Sequence, residues 1–250
     1  MSGFQRSVMM AMGGGIDITT TSDAENVNLR TLLDAAGFDN DVPTKITYRL
    51  NSGVTLTSAA STGTATPAWQ TGTIGSIHTL IVYINGDIKG YGGASGAKGD
   101  ATSEASSNHG GTGGDGGDAM SFACNATLVV NSGASVLAGG GGGGGGGGAY
   151  DEDGPESVSA FGGLGGRGAG TNAATSGGPA ETEDDSGGRA VSGAGGDGGN
   201  YGASGSNGSN GSEGIALGTG GTGGSAGYAV KKNSNTVSVT NNGTITGTQG

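Results

Sequence analysis

Residues Ala138 to Tyr150 read "AGGGGGGGGGGAY", ten consecutive glycines between residues that carry side chains. Such a segment has no apolar side chain to bury, and glycine loses more backbone entropy on ordering than any other residue. If the run is folded, its backbone must itself be the packing surface. The chain around it has the same character. Of 250 residues, 62 are Gly and only 4 are Pro, against an ordinary glycine usage of about 7%. An average apolar core is therefore not available along most of the sequence.

The glycines are spaced in threes. Gly193, Gly196, Gly199, Gly202, Gly205, Gly208, Gly211 and Gly214 keep one register, and shorter series run from Gly90 to Gly99, Gly110 to Gly116, Gly162 to Gly168 and Gly218 to Gly227. A flexible linker has no reason to keep such a count. Three residues per turn is the period of the polyproline II helix, which makes no internal hydrogen bonds. With glycine on a whole face, such helices approach until their backbones touch, and the unpaired N–H and C=O groups pair across the contact. The ten-glycine run, able to accept a neighbour on every side, is expected at the centre of the bundle. Collagen is the rival triplet structure, but it needs an unbroken period and about 15–20% Pro or hydroxyproline, and residues 193–214 contain no Pro.

A second pattern recurs in "YRLNSGVTL" (48–56), "IVYINGDIKG" (81–90), "TLVVNSGASVLAG" (127–139) and "VSVTNNGTITG" (237–247). Each is an alternating strand, then Asn and Gly, which tolerate positive φ in turns, then a second short apolar stretch. The last two copies align at an offset of 110, matching Asn125, Val129, Asn131 and Gly133 with Asn235, Val239, Asn241 and Gly243. Alternation implies one buried face per strand, with Val82, Ile84, Val129, Val237 and Val239 as candidates. Cys124 is expected to pack there as a small apolar residue. Nearer the start, Ser22 and Glu25 have capping-box spacing, and Leu29, Leu32, Leu33 and Ala36 share a helical face before Gly37. This predicts a short amphipathic helix over 22–36.

The expected fold is mostly β and irregular: a short β-strand scaffold carrying a glycine-rich bundle of polyglycine II helices, plus one short N-terminal α-helix. Residues 1–40 are read as an attachment segment with the helix, 41–90 as a β-strand domain, 91–228 as the glycine-rich bundle with an embedded strand unit at 119–137, and 229–250 as a C-terminal strand unit. Phe4, Val8, Met9, Met10 and Met12 cluster near the start; methionine is common at adaptable binding surfaces, which makes them candidates for anchoring on another protein.

Charge and motifs exclude several functions. The net charge is −11, the wrong sign for neutralising phosphates, so no nucleic-acid partner is expected. No apolar run reaches the roughly 18 residues of a membrane span, and the start lacks the features of a secretory signal. His78 and His109 stand apart, and no nucleophile motif, metalloprotease motif, P-loop or CxxC occurs. Enzymatic activity, a cofactor and a metal are therefore not expected. "GGDGG" (113–117) and "GAGGDGGN" (193–200) faintly resemble the nonapeptide calcium repeat, yet lack its large apolar residue after Asp and any tandem copy. Two acidic stretches, "YDEDGPES" (150–157) and "AETEDDSGG" (180–188), interrupt the glycine. Loops on a rigid scaffold commonly carry binding residues. The candidates are Tyr150, Asp151, Glu152, Asp153, Glu156, Phe161, Glu181, Glu183, Asp184, Asp185 and Tyr201.

Taken together, the short N-terminal region, the units "INGDIKGYGG" and "VVNSGASVLAGGGGGG", the glycine tracts and the ending "GYAVKKNSNTVSVTNNGTITG" resemble the glycine-rich receptor-binding proteins of tailed bacteriophages. In particular the chain looks like the adhesins at the tips of T-even long tail fibres, and like the glycine-rich modules at the ends of some siphophage tail-tip proteins. The resemblance implies packed polyglycine II helices whose connecting loops contact an outer-membrane protein or lipopolysaccharide, and a virion protein attached through its N-terminal region to other tail or fibre proteins. A structural tail or capsid-decoration subunit without receptor contact is the alternative. Ice binding would need a regular Thr or Ala face, and the Thr residues are scattered.

Overall fold

A computed structural model describes residues 6–11, 15–59, 66–103, 108–152, 156–185 and 188–250. Its regular secondary structure is almost all strand, with one six-residue helix among the described residues. The chain divides into two compact units. One comprises Met1–Tyr91, Asp118–Ala138 and Tyr228–Gly250; the other comprises Gly92–Gly117 and Gly139–Gly227.

The first unit is a coil of parallel strands with three faces. Strand β1 (Arg6–Ala11) pairs antiparallel with β2 (Gly15–Thr20), and the first turn continues through β3 (Ala24–Glu25) and β4 (Val27–Asn28). Helix α1 (Leu29–Asp34) leads to the second turn, β5 (Lys45–Leu50), β6 (Thr55–Thr57) and β7 (Trp69–Gln70). The third is β8 (Thr79–Ile84), β9 (Asp87–Lys89) and β10 (Met120–Ser121), with residues 92–117 intervening before β10. The fourth begins with β11 (Ala126–Val130) and β12 (Ser135–Leu137). The chain then passes through the second unit, with β13 (Ala149–Glu152), β14 (Ser157–Ala160), β15 (Thr182–Asp185), β16 (Gly188–Val191) and β17 (Ala216–Leu217). The fourth turn closes with β18 (Tyr228–Lys231), and the fifth is β19 (Val237–Asn241), β20 (Thr244–Thr246) and β21 (Thr248–Gln249). Both excursions into the glycine-rich unit leave the coil between its second and third faces.

Each strand pairs with its counterpart one turn away, so residues stack in ladders. Ile18, Tyr48, Val82, Leu128 and Val239 form one, Ala24, Leu56, Ile88, Val136 and Ile245 a second, and Val27, Trp69, Met120 and Val230 a third. Their apolar side chains meet in one core, where the Trp69 ring lies between those of Tyr48 and Phe122 at 5.3 Å from each. Burial raises the Tyr48 phenol above its ordinary pKa, and its hydroxyl is hydrogen-bonded to the Thr20 hydroxyl at 2.9 Å. Cys124 is buried in this core, which pushes its thiol up as well.

The repeated Asn and Gly turn the chain from the first face to the second. Asn131 Nδ2 donates to Asn85 Oδ1 at 2.7 Å, and Asn85 Nδ2 to the Leu50 carbonyl at 2.9 Å, joining three turns. The corner glycines serve two purposes. Gly53 and Gly133 have φ of +76° and +84°, whereas a Cβ on Gly86 would lie 2.2 Å from the Val54 carbonyl oxygen.

Two expectations are corrected here. The constant offset of 110 puts Val129 opposite Val239, but the ladder pairs Leu128 with Val239. Leu128 and Val130 face the core while Val129 is half-buried, because a slip of one residue reverses every side chain in a strand. The helix begins at Leu29, capped by Asn28, whose Oδ1 accepts the Arg30 N–H at 3.0 Å. Residues 24–28 are drawn into strands because Ala24 pairs with Leu56 and Val27 with Trp69. The capping-box spacing at Ser22 is overridden by these long-range pairs. Leu29, Leu32 and Leu33 are buried as read, and the helix gives way at Gly37 with φ +78°. His78 is structural: its Nδ1 accepts the Thr44 N–H at 3.2 Å, and its Nε2 lies 3.0 Å from the Asn40 carbonyl.

In the second unit, extended segments run at 92–100, 108–117, 139–148, 162–169, 175–180, 192–200, 203–211 and 218–227. The ten glycines are all buried and are bonded to six of the other segments. Gly140, Gly143 and Gly146 donate to Ala169, Gly166 and Gly163; Gly141, Gly144 and Gly147 to Ala203, Ser206 and Ser209; Gly142, Gly145 and Gly148 to Gly114, Gly111 and Asn108. The same glycines accept in threes from segments 92–100, 192–200 and 218–227, at N···O distances of 2.7–2.9 Å. A Cβ on Gly144 would stand 2.0 Å from the Gly221 oxygen. Side chains close the rim where no glycine segment follows. Asn207 and Asn210 Oδ1 accept the Gly223 and Gly220 N–H, each at 2.9 Å, and Asp115 and Asp197 Oδ1 accept those of Ser225 and Gly177 at 2.7 and 2.9 Å. The aspartates of the two "GGDGG" stretches are thus backbone acceptors.

Candidate functional site

Hydrogen-bond register fixes which connections of the glycine unit share an end. Gly99, Gly146, Gly163, Gly193 and Ser209 lie at one level, joined through Gly147, and the connections 149–161, 181–191 and 212–217 all emerge beyond it. Asp100 and Asn108 lie at the same end. Buried Asn108 donates from Nδ2 to the Thr102 and Ala216 carbonyls at 2.9 and 3.1 Å. The opposite end holds the turns at 170–174 and 200–202 and the four points where the chain enters or leaves the unit.

Two hairpins form the first of these ends. Strands β13 and β14 pair antiparallel, with β17 on the other side of β13, and β15 pairs antiparallel with β16. Ala149, Val158, Ala160 and Ala190 make a small core between them. Carboxylates fasten them together. Asp151 Oδ2 accepts the Arg189 N–H at 3.0 Å, Glu181 Oε2 accepts the Phe161 N–H at 3.1 Å, and Arg189 forms an ion pair with Glu213 at 3.0 Å. The Glu156 carboxyl is raised above its usual range by a hydrogen bond with Asp185 and by that residue's charge.

The structure therefore gathers Tyr150, Asp151, Glu152, Glu156, Phe161, Glu181, Glu183, Asp184 and Asp185 at one end. Asp153 lies outside the described residues. Tyr201 is not brought to them: it sits at the opposite end, its hydroxyl bonded to the Gly170 carbonyl. Phe161 is 37% exposed with the Lys98 ammonium 4.3 Å from its ring centre. Sequence reasoning missed Ile215, 68% exposed, and the neighbouring Leu217. The signal was present: "SEGIALG" (212–218) places two large apolar residues where the glycine period breaks. Of the anchoring candidates, Val8, Met9 and Met10 lie on β1, an edge strand of its sheet; Phe4 and Met12 fall outside the described residues.

Among the described residues, no group of three or more His, Cys, Asp or Glu is placed to hold a metal ion, and no helix is long and apolar enough to cross a membrane. Fold and site together define a strand coil carrying a glycine-segment unit with hairpins gathered at one end. The sequence matches the family model of the phage tail fibre adhesin Gp38 over residues 15–250, and the chain belongs to that family. Membership gives it a tail-fibre adhesin role and a place on the phage tail. No curated protein matches the sequence. Among solved structures, the chain is similar to the gp37–gp38 adhesin tip complex of the bacteriophage S16 long tail fibre, at 20% identity and a TM-score of 0.49, over 94% of this chain and 82% of that one.

Proposed function

We propose that this adhesin binds the host cell surface, an outer-membrane protein or lipopolysaccharide, through the hairpins and turn at 149–161, 181–191 and 212–217. The glycine segments act as polyglycine II helices that hold these connections rigid, and the N-terminal region, through β1, attaches the chain to another tail-fibre protein. Gathering of the connections at one end of the glycine unit carries this reading. Polyglycine II packing is supported by lateral bonds at every third residue and by six neighbours around the ten-glycine segment. Binding is the whole mechanism. A surface ordered in advance loses little entropy on contact, so a few exposed residues such as Phe161 and Ile215 suffice as anchors.

The test is to replace residues 150–161, 181–191 and 212–217 with short Gly-Ser connections and measure adsorption of phage carrying the variant. Adsorption should be lost while the purified protein keeps its circular dichroism. Undiminished adsorption would reduce the hairpins to structural parts and overturn the proposal. Phe161→Ala and Ile215→Ala should each weaken receptor binding by about 1–2 kcal/mol.

A further inference from the structure

Four Asn-Gly pairs occur in the chain: Asn85-Gly86, Asn207-Gly208, Asn210-Gly211 and Asn242-Gly243. This dipeptide is chemically labile. The glycine backbone nitrogen loses its proton and attacks the asparagine side-chain carbonyl carbon, ammonia leaves, and water opens the resulting succinimide to aspartate or isoaspartate. Cyclisation requires the side-chain amide to swing onto the next nitrogen, so bonds that hold either group oppose it.

Three of the pairs are held. Asn207 Oδ1 accepts the Gly223 N–H at 2.9 Å, while the Gly208 N–H donates to the Gly221 carbonyl at 2.9 Å. Asn210 and Gly211 repeat the arrangement with Gly220 and Gly218 at the same distances. The Asn85 side chain is bonded to Leu50 and Asn131, and Gly86 is buried against the Val54 carbonyl. The fourth pair differs. Gly243 meets the Asn131 and Ala134 carbonyls much as Gly86 meets that of Val54, but Asn242 is exposed on the outermost turn of the coil, no described residue bonds its side chain, and the Gly243 N–H is held only by the Asn241 side chain, at 3.1 Å.

We propose that Asn242 is the site of spontaneous deamidation in the folded protein, and that the glycine unit protects Asn207 and Asn210. The protection matters to the architecture. Isoaspartate adds a backbone atom, which at residue 207 or 210 would break the three-residue register, whereas at Asn242 it falls in a corner with no further turn stacked on it.

The full-length protein is incubated at mildly alkaline pH, folded or in denaturant, and the amide-to-acid mass gain is mapped by peptide mass spectrometry with isoaspartate detection. Each bond that must open slows conversion on the order of tenfold. Folded protein should therefore convert at Asn242 well ahead of the other three sites, and denatured protein at all four. Asn242→Ala should abolish the early mass gain of the folded protein. Conversion of Asn207 or Asn210 in folded protein at the denatured rate would overturn the proposal. So would an intact Asn242 in folded protein whose denatured control converts.

Discussion

Glycine does two different things in this chain, and substitution separates them. At Gly144 the backbone is ordinary but the space is filled, since a Cβ would stand 2.0 Å from the Gly221 oxygen. At Gly37 the space is empty, with no atom within 4 Å of a Cβ, but φ is +78°. Gly144→Ala must push two segments apart and loosen bonds such as that from Gly221 N–H to Gly145, at a cost of about 3 kcal/mol or more. Gly37→Ala pays backbone strain alone, about 1 kcal/mol. Thermal melts of the two variants check this, and equal losses would mean that the close contact at residue 144 is not a constraint. The distinction is legible in the sequence. The three-residue period announces the close packing, and at the corners the spacing from Asn separates the two roles: Gly53 and Gly133, two residues after Asn, have positive φ and open space, whereas Gly86 and Gly243, directly after Asn, are crowded by carbonyl oxygens.

At the scale of the element, the glycine segments are extended chains whose hydrogen bonds all go sideways, so a segment on the rim needs acceptors that glycine lacks. Asp197 supplies one to Gly177 at 2.9 Å. Asp197→Ala should therefore cost about 0.5–1 kcal/mol, the value of a partly solvated hydrogen bond, whereas Asp197→Asn keeps the Oδ1 acceptor and should melt like the parent. A loss for Asn as large as that for Ala would assign the carboxylate's charge, rather than its oxygen, the working role. The same scale explains where sequence reading stopped. Ser22 and Glu25 offered a helix start, yet residues 24–28 gain more from pairing with the second turn. The alternation over 126–130 is visible in the sequence, but its phase against the next turn depends on corner geometry, which puts Leu128 rather than Val129 in the core. The acidic stretches were recognisable by composition. That they fasten to one another through Asp151 and Glu181, and that Tyr201 lies at the other end, follows only from the order in which segments pack.

Over the whole molecule, two kinds of cohesion share one chain. The coil holds the large side chains, Trp69, Tyr48, Phe122 and the Ile, Leu and Val ladders. In the glycine unit, nearly half of the residues, every buried apolar side chain among the described residues is Ala except Val158. That unit is therefore held chiefly by backbone hydrogen bonds rather than by apolar burial. The heat capacity of unfolding tells these apart, because exposing apolar surface raises it and exposing polar surface lowers it. A chain of this length with an ordinary composition would show about 3–4 kcal/mol/K. Complete unfolding followed by calorimetry should give a value no more than roughly two thirds of that, with a correspondingly flatter dependence of stability on temperature. An ordinary heat capacity would mean that the glycine unit buries apolar surface in proportion to its size, and that its hydrogen-bonded backbone is not what holds it together.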